Sequence, residues 1–314
     1  MSANGVPAAA ATSVCAVAVT WHPDIARLDA MLHAVTPQVG AFALVDNASG
    51  DPALAAMAAR HPRTTFLPQV ANLGLAAAFN AGVAWARRHG FRHVLLLDQD
   101  SLPDAAMVAE LLQALDALSG QTKVAAVGPR FRDMEEPHDA PFVRIGFPFN
   151  RKLHCGDACA GTVRCDFLIS SGSLIPLDVL DAIGGMDETL FIDNVDLEWC
   201  FRARAAGYAL YGVCAARMRH RLGDSRRRLP GMPRGVIVHG PQRLFFIMRN
   251  RLLLYRRPCT PGAWIAQDIP RAFVKFLLFA VFIGPRRRHV RAMLAGLHAG
   301  VRGSTEIPEN PPWQ

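Results

Sequence analysis

Apolar positions in this chain come in short unbroken blocks, and polar residues gather just past the end of each block. VCAVAVT (14–20), AFALVDNAS (41–49), TTFLP (64–68) and HVLLLD (93–98) are runs of strand length. They do not alternate apolar with polar, the pattern of strands covered on both faces within a parallel sheet. The intervening stretches predict helices: one near 24–36 with Pro23 at its start, a short one around 52–60, and NLGLAAAFNAGVAWARRHG (72–90), closed by Gly90. A further helix over 104–118 precedes a strand, VAAVGPRF (124–131). Strand alternating with helix predicts an α/β fold with a mostly parallel central sheet and helices on both faces. Ligands of such sheets bind beyond the carboxyl ends of the strands. Thr20, Asp46, Asn47, Asp98 and Asp100 all fall there.

The second half is less regular. Residues 132–165 are Pro-rich and predict a loop over the sheet, and DFLISSGSLIPLDVLDAIGG (166–185) predicts a strand, a turn and a short helix. FIDNVDLEWCFRARAAGY (191–208) opens with acids and closes with bases, as a helix dipole favours. From about 236 the composition shifts to IVHGPQRLFFIMRNRLLLYRR and then RAFVKFLLFAVFIGPRRR. The apolar run 273–284 falls well short of the roughly 20 residues that cross a bilayer. Flanked by Arg271 and Arg286–Arg288, it predicts a helix lying on an anionic membrane surface through 271–291. A buried C-terminal helix or a homodimer contact accounts for the same pattern. The chain divides into a flexible tail (1–12), a main domain (13–235) and a C-terminal helical segment (236–314).

Composition narrows the class. With 314 residues, 51% hydrophobic and 19% charged, the chain is neither disordered nor a many-pass membrane protein. A net charge of +8 implies an anionic partner. The excess sits in two clusters, Arg217, Arg219, Arg221, Arg226, Arg227, Arg228 and Arg234, then Arg286, Arg287, Arg288 and Arg291. No nucleic-acid-binding motif accompanies them, so nucleic acid is not the expected partner. The seven cysteines are scattered; His154, Cys155, Cys159 and Cys165 lack the paired spacing of a zinc site, and reduced thiols are expected. The N-terminus has no basic stretch before its apolar run, so it does not read as a signal peptide and a cytoplasmic location is expected.

The candidate chemistry lies in two acidic stretches. LLLDQDSLP (95–103) ends an inner strand in Asp98 and Asp100 with Gln99 between them. Carboxylates at i and i+2 past a strand can share a hard divalent cation, and such an ion neutralises a departing diphosphate. The same residues also serve in turns and helix caps. FIDNVDLEW offers Asp193, Asp196 and Glu198 at a helix entrance, where they could act as a base or simply cap the helix.

Taken in order, VTWHP (19–23), VDNASGD (45–51), NLGLAAAFNAG (72–82), LLLDQDSLP (95–103) and GGMDETLFIDNVDLEWCFRARAAGY (184–208) resemble the family 2 glycosyltransferases. These are inverting enzymes of the GT-A fold, and the likeness leans towards the bacterial rhamnosyltransferase branch across about residues 14–255. It implies a Rossmann-like GT-A domain with a C-terminal helical extension. It implies that Thr20, Asp46, Asn47, Asn72, Gly74, Asn80, Asp98 and Gln99 form the nucleotide-sugar site, with Asp46 accepting the imide N–H of the base. Gln99 stands where many relatives carry an acid. Asp98 and Asp100, with His220, would hold Mg2+ or Mn2+. Asp196 would be the base, with Asp193 next in line, while Glu198 orients its neighbours. Arg243 and Arg249, with His239, would contact phosphate. Ser171, Gly172 and Trp199 would lie on the acceptor side, although a core position explains Trp199 equally well.

The implied activity moves L-rhamnose from dTDP-L-rhamnose, a nucleotide-diphosphate sugar donor, to a glycan or lipid-linked acceptor of the cell surface. The enzyme would sit peripherally on the inner face of the cell membrane. Two other classes fit part of the pattern. A non-catalytic nucleotide-sugar-binding or scaffolding protein would not need Asp196. A nucleotidyltransferase would carry a Gly-rich basic loop after its first strand, which VTWHPDIARL is not.

Overall fold

In the computed structural model, which describes residues 12–133, 138–156, 161–220, 225–229 and 232–308, the first half of the chain alternates as its apolar blocks predict. β1 (Val14–Thr20) is followed by α1 (Ile25–Val35), β2 (Ala41–Asp46), α2 (Pro52–Arg60), β3 (Thr64–Pro68), α3 (Leu75–Arg88) and β4 (His93–Asp98). All of β1 and β2 is buried. Cys15, Val17 and Val19 face one layer, packed with Phe79 and Val83 of α3. Val14, Ala16 and Ala18 face the other, packed with Leu28, Met31 and Leu32 of α1. That two-sided burial is why these strands carry no polar alternation. Asp24 caps α1 by accepting from the Ala26 and Arg27 amides, and Asp51 caps α2 just ahead of Pro52.

The chain continues through β5 (Leu102–Pro103), α4 (Met107–Ser119), β6 (Val124–Asp133), β7 (Phe142–Arg144), β8 (Arg151–Leu153), β9 (Thr162–Cys165), β10 (Leu174–Pro176), α5 (Leu177–Ile183), α6 (Val195–Ala205) and β11 (Ala209–His220). The main sheet runs β3-β2-β1-β4-β10-β6-β11-β5, with β9 also pairing to β11. β1–β4 are mutually parallel, and β6 parallels β11. β10 is antiparallel to both β4 and β6. A mostly parallel sheet is what the sequence led us to expect. From β1 the chain moves outward to β2 and β3, then returns to β4 on the other side, creating a switch point where a crevice opens. The register places Thr20 beside Asp46 and Val19 beside Asp98, so the polar strand ends line one edge.

Several expectations need correcting. Residues 166–170 do not form a strand. Asp166 turns inward to accept from the Ile145 amide at 2.6 Å, and Phe167 makes only an isolated bridge to Val143. The 132–165 stretch contains strands β7, β8 and β9 rather than being a plain loop. Cys155 and Cys214 are disulfide-bonded, against the expected reduced thiols. Pairing of β9 with β11, continued by the Cys214 amide donating to the Gly161 carbonyl, brings these segments together from 59 residues apart. No thiolate of Cys155 remains for a metal, and Cys159 lies outside the described residues. So do residues 1–11 of the expected tail, Arg221, and the side chains of Arg226, Arg228 and Arg234.

The C-terminal part comprises the hairpin β12 (Ser225–Leu229) and β13 (Met232–Val238), then α7 (Pro241–Tyr255), α8 (Gly262–Val281) and α9 (Arg286–Arg302). α9 packs closely on α7: a Cβ at Gly296 would collide with the Phe245 carbonyl. The apolar run at 273–284 belongs to the longer α8, and only part of it is buried. Ile269, Phe273, Leu277 and Val281, spaced four apart, are exposed as a stripe, with Phe273 63% accessible. Among the described residues, no helix is long and apolar enough to cross a membrane.

Candidate active site

A cleft of about 560 Å³ opens at the carboxyl ends of β1 and β4. That volume suits a small-molecule ligand. Asn47, Asn72, Gly74, Asp98, Gln99, Asp100, Asp193, Asp196, His220 and Arg243 all line it, so residues from one end of the chain to the other meet there.

The carboxylate pair follows from a tight turn after β4. The Ser101 amide donates to the Asp98 carbonyl at 3.2 Å, and the Asp98 amide donates to Ser171 Oγ at 3.4 Å. Ser171 and Ser101 share a further, short hydrogen bond. β5 pairs with the end of β11 and thereby carries His220 to the pair. Its Nε2 lies 3.5 Å from Asp98 Oδ2 and its Nδ1 3.4 Å from Asp100 Oδ1. Burial pulls the imidazole down, but Asp100, Asp98 and Asp133 overcome it and hold the ring above its ordinary value. Burial raises the Asp98 carboxyl and Asp100 adds to the effect, against His220 and Arg243.

Two carboxylates and an imidazole make an O,O,N donor set of the kind Mn2+ or Mg2+ accepts. When no cation is bound, it is His220, held above its ordinary value, that offsets the pair's negative charge. The two carboxylates bracket the ring from either nitrogen, and a cation here would require His220 in its neutral form. A tighter group, Asp29, His33 and His61, has ligand atoms within 4.8 Å of one another. None of these lines the cleft, and the Arg60 guanidinium 3.6 Å from Asp29 opposes a second cation.

Directly after β2, Asn47 donates to Asn72 Oδ1 at 2.9 Å and accepts from the Leu73 amide at 3.0 Å. Asn72 Oδ1 also accepts from the Gly74 amide, which fixes the turn into α3. Gly74 has φ +89°, and a Cβ there would lie 2.5 Å from the Phe191 ring. Gln99 accepts from the Trp21 amide at 2.9 Å, tying the ends of β1 and β4 together.

Three residues expected in the nucleotide site lie outside the cleft lining. Thr20 is buried and donates to Asp46 Oδ1 at 3.0 Å, while Asp46 also accepts from the Ser49 amide and hydroxyl. The carboxylate is thus engaged in its own turn rather than offered to a base. Asn80 clamps α3 to Met186 and Glu188, with all three hydrogen bonds at 2.8 Å.

The base candidates sit where a strained loop enters α6. Phe191, Asp193 and Asn194 all have φ near +64°, unfavourable for residues with a Cβ. α7 holds them there: Asn250 donates to the carbonyls of Leu190, Ile192 and Asp193 at 2.8–2.9 Å. The Phe191 carbonyl in turn accepts from the Leu75 amide at 2.6 Å, so one loop anchors both the start of α3 and the start of α6. Asn194, not Asp193, is the N-cap residue of α6, and Asp196 lies in the first turn. The Asp196 carboxylate accepts from the Leu197 amide at 2.8 Å and the Ser170 amide at 3.3 Å. Burial pushes its pKa up from 3.8 to about 6; the two amides oppose this, and Asp98 and Asp193 reinforce it. Asp193 is instead neutralised by Arg243, whose Nε lies 3.0–3.1 Å from both oxygens. Glu198 is buried and pairs with Arg202 and Arg257.

Other placements revise the sequence reading. Trp199 is 2% exposed and packs in the core with its indole N–H on the Gly184 carbonyl, so it does not stack on an acceptor. Arg249 is fully buried and donates to the carbonyls of Thr189, Leu190, Thr305 and Glu306, so it braces the loop rather than meeting phosphate. Ser171 and Gly172 lie behind the carboxylate pair, and Ile169 and Ser170 reach the cleft in their place. Trp21, Phe191, Gln242 and Phe246 line the cleft without having been singled out. Of these, Trp21 was legible, standing directly after the first strand.

Residues 25–173 match the family model described as Glycosyl transferase family 2. The dTDP-rhamnosyl transferase RfbF of Shigella flexneri is 25% identical over 295 residues, covering 94% of this chain and 97% of its own length. The galactofuranosyltransferase GlfT1 of Mycolicibacterium smegmatis is 28% identical over 309 residues, covering 92% and 94%. Among solved structures, S. aureus TarS 1–349 in complex with UDP-GlcNAc superposes with a TM-score of 0.56 at 12% identity, covering 92% of this chain and 81% of that one. GalNAc-T7 with UDP, GalNAc and Mn2+ gives 0.57 at 13% identity; the match spans 92% of this chain but only 56% of GalNAc-T7. These structures share the fold, a GT-A domain with a mostly parallel central sheet. Residues 25–173 thus carry a family 2 glycosyltransferase domain, and the activity is sugar transfer from a nucleotide sugar.

Proposed function

We propose that this enzyme is a metal-dependent, inverting rhamnosyltransferase that uses dTDP-L-rhamnose to extend a lipid-linked or cell-surface glycan precursor. The observation that carries this reading is one cleft lined both by the Asp98–Asp100–His220 group and by Asp196, a carboxyl raised to about 6. In direct displacement, Asp196 takes the proton of an acceptor hydroxyl while that oxygen bonds to the anomeric carbon. The bond to the diphosphate oxygen breaks with its electron pair, and the configuration inverts. A carboxylate titrating near neutrality is suited to that work. Asp98, Asp100 and His220 would hold a divalent cation, which when bound offsets charge on the leaving diphosphate. Asn47, Asn72, Gly74 and Gln99 would shape the donor's side of the cleft, with Arg243, paired to Asp193, beside them. The choice of rhamnose and thymidine follows the likeness to RfbF.

The exposed stripe of α8, followed by the exposed Arg286, Arg287 and Arg288, supports peripheral docking on an anionic leaflet on the cytoplasmic side. The purified protein, incubated with a panel of nucleotide sugars with and without Mn2+ or Mg2+, should consume dTDP-L-rhamnose fastest and only with metal. Preferential consumption of another donor would reassign the sugar, and consumption in chelator at the full rate would remove the metal.

A further inference from the structure

We propose that the small apolar pocket behind Ile169 is a specificity subsite, and that it takes a methyl group carried by the acceptor sugar. The inference rests on the glycosyltransferase reading above and specifies the acceptor's chemistry. The pocket measures about 90 Å³ and lies between β6, β7 and the 167–171 segment. Pro129 and Phe131 of β6, Phe142 and Val143 of β7, and Phe167 with Ile169 form its walls. Phe131, Val143, Phe167 and Ile169 each keep part of their surface accessible, so this is an open pocket and not a sealed void.

The pocket offers water little to bond to. Ser171 supplies the one polar side chain among the lining residues, and its hydroxyl is already engaged. It accepts from the Asp98 amide at 3.4 Å, donates to Met218 Sδ at 3.9 Å and shares a hydrogen bond with Ser101. Nearby backbone groups are engaged as well. The Val143 carbonyl accepts from the Asp166 amide at 2.9 Å, the Leu168 amide donates to Cys200 Sγ at 3.5 Å, and the Ile169 carbonyl accepts from the Ser173 hydroxyl at 2.6 Å. A bound water needs roughly two to four polar partners, so the site favours an apolar occupant. A dry cavity of about 150 Å³ holds a benzene ring. This smaller one suits a methyl group.

Position identifies the ligand. Ile169 lines both this pocket and the cleft, so one side chain stands between them. The next residue, Ser170, also lines the cleft and donates its amide to Asp196 Oδ2 at 3.3 Å. A sugar whose hydroxyl meets Asp196 can therefore turn a neighbouring substituent past Ile169 into the pocket. A methyl group there packs against phenylalanine, valine and isoleucine side chains. A hydroxyl in its place would be buried without a partner, because Ser171 is already committed. Discrimination between the two amounts to about tenfold or more.

Calorimetry and saturation-transfer NMR on the full chain, loaded with dTDP and Mn2+, test this with two pairs of probes. Methyl α-L-rhamnoside is set against methyl α-L-mannoside, in which a hydroxymethyl replaces the ring methyl. Methyl N-acetyl-β-D-glucosaminide is set against its N-formyl analogue, which lacks the acetyl methyl. The subsite predicts that one methyl-bearing sugar binds about tenfold or more tighter than its partner, and the pair that responds tells a deoxysugar from an acetamido sugar. The ring or acetyl methyl protons of that sugar should receive the strongest saturation. Val143→Phe fills the pocket and should abolish the preference while leaving the dTDP isotherm unchanged. Equal affinity within both pairs overturns the proposal, as does no binding by either methyl sugar or a preference that survives Val143→Phe. Should Val143→Phe fail to fold, the two pairs on the unmodified protein decide by themselves. Failure of dTDP to bind at all would instead strike at the glycosyltransferase reading.

Discussion

Replacing Asp196 with Asn should destroy transfer and stabilise the fold, and the two effects have one cause. Asp196 titrates at about 6 in the folded chain against 3.8 for an ordinary carboxyl. Between those values the native state holds a proton that the unfolded chain has lost, so stability falls as pH rises through the window. Above about pH 6 the penalty is complete, and a displacement of roughly two pH units corresponds to about 3 kcal/mol. The amide carries no charge and escapes that penalty. It has a single acceptor oxygen, however, whereas Asp196 accepts from both Leu197 and Ser170, so one hydrogen bond worth about 1 kcal/mol is lost. The net gain expected is about 2 kcal/mol near pH 8, under about 1 kcal/mol near pH 5, and about zero near pH 4. Urea unfolding of both proteins across that range measures it, and initial rates on the same samples should fall at least about 100-fold. A variant that is equally destabilised at every pH would refute the burial argument. Full retained transfer would remove Asp196 as the base.

Three further outcomes test the surroundings. Gly74→Ala forces a Cβ against Phe191 at φ +89° and should cost about 2 kcal/mol or more in urea unfolding, with weakened nucleotide binding; a neutral effect would contradict the described turn. Arg249→Met strips four carbonyls of their donor and should cost about 3 kcal/mol or more. Unchanged stability with lost dTDP affinity would restore the phosphate-contact role. Phe273→Asp with Leu277→Asp should release the protein from phosphatidylglycerol vesicles by about tenfold or more in sedimentation. Undiminished binding refutes the interfacial face, and a shift from dimer to monomer in light scattering would give the stripe to a second copy.

How much the sequence revealed depended on how locally each feature is encoded. β1 to β4 announced themselves because two-sided burial demands continuous apolar runs, and their register then carried Asp98 to the crevice. β10 was missed because three residues of strand leave no period to detect. β11, ALYGVCAARMRH, mixes arginines with apolar residues because its last stretch alternates, with Ala216, Met218 and His220 buried and Arg217 and Arg219 exposed. The disulfide had no local signature: Cys155 and Cys214 meet only through the pairing of β9 with β11. In the site, Asp98, Asp100 and Asp196 were readable as acids at element ends. Arg249 and Trp199 were misplaced because residue type alone does not tell a phosphate from a shell of carbonyls, or a sugar from a core.

The account turns on whether Asp98 and Asp100 bind the donor's diphosphate through a cation. Calorimetric titration of dTDP into the protein and into Asp100→Asn, each with and without Mn2+, tests this most directly. Tight binding should need Mn2+ and should weaken about tenfold or more in the variant. Equal affinity in all four titrations would contradict it.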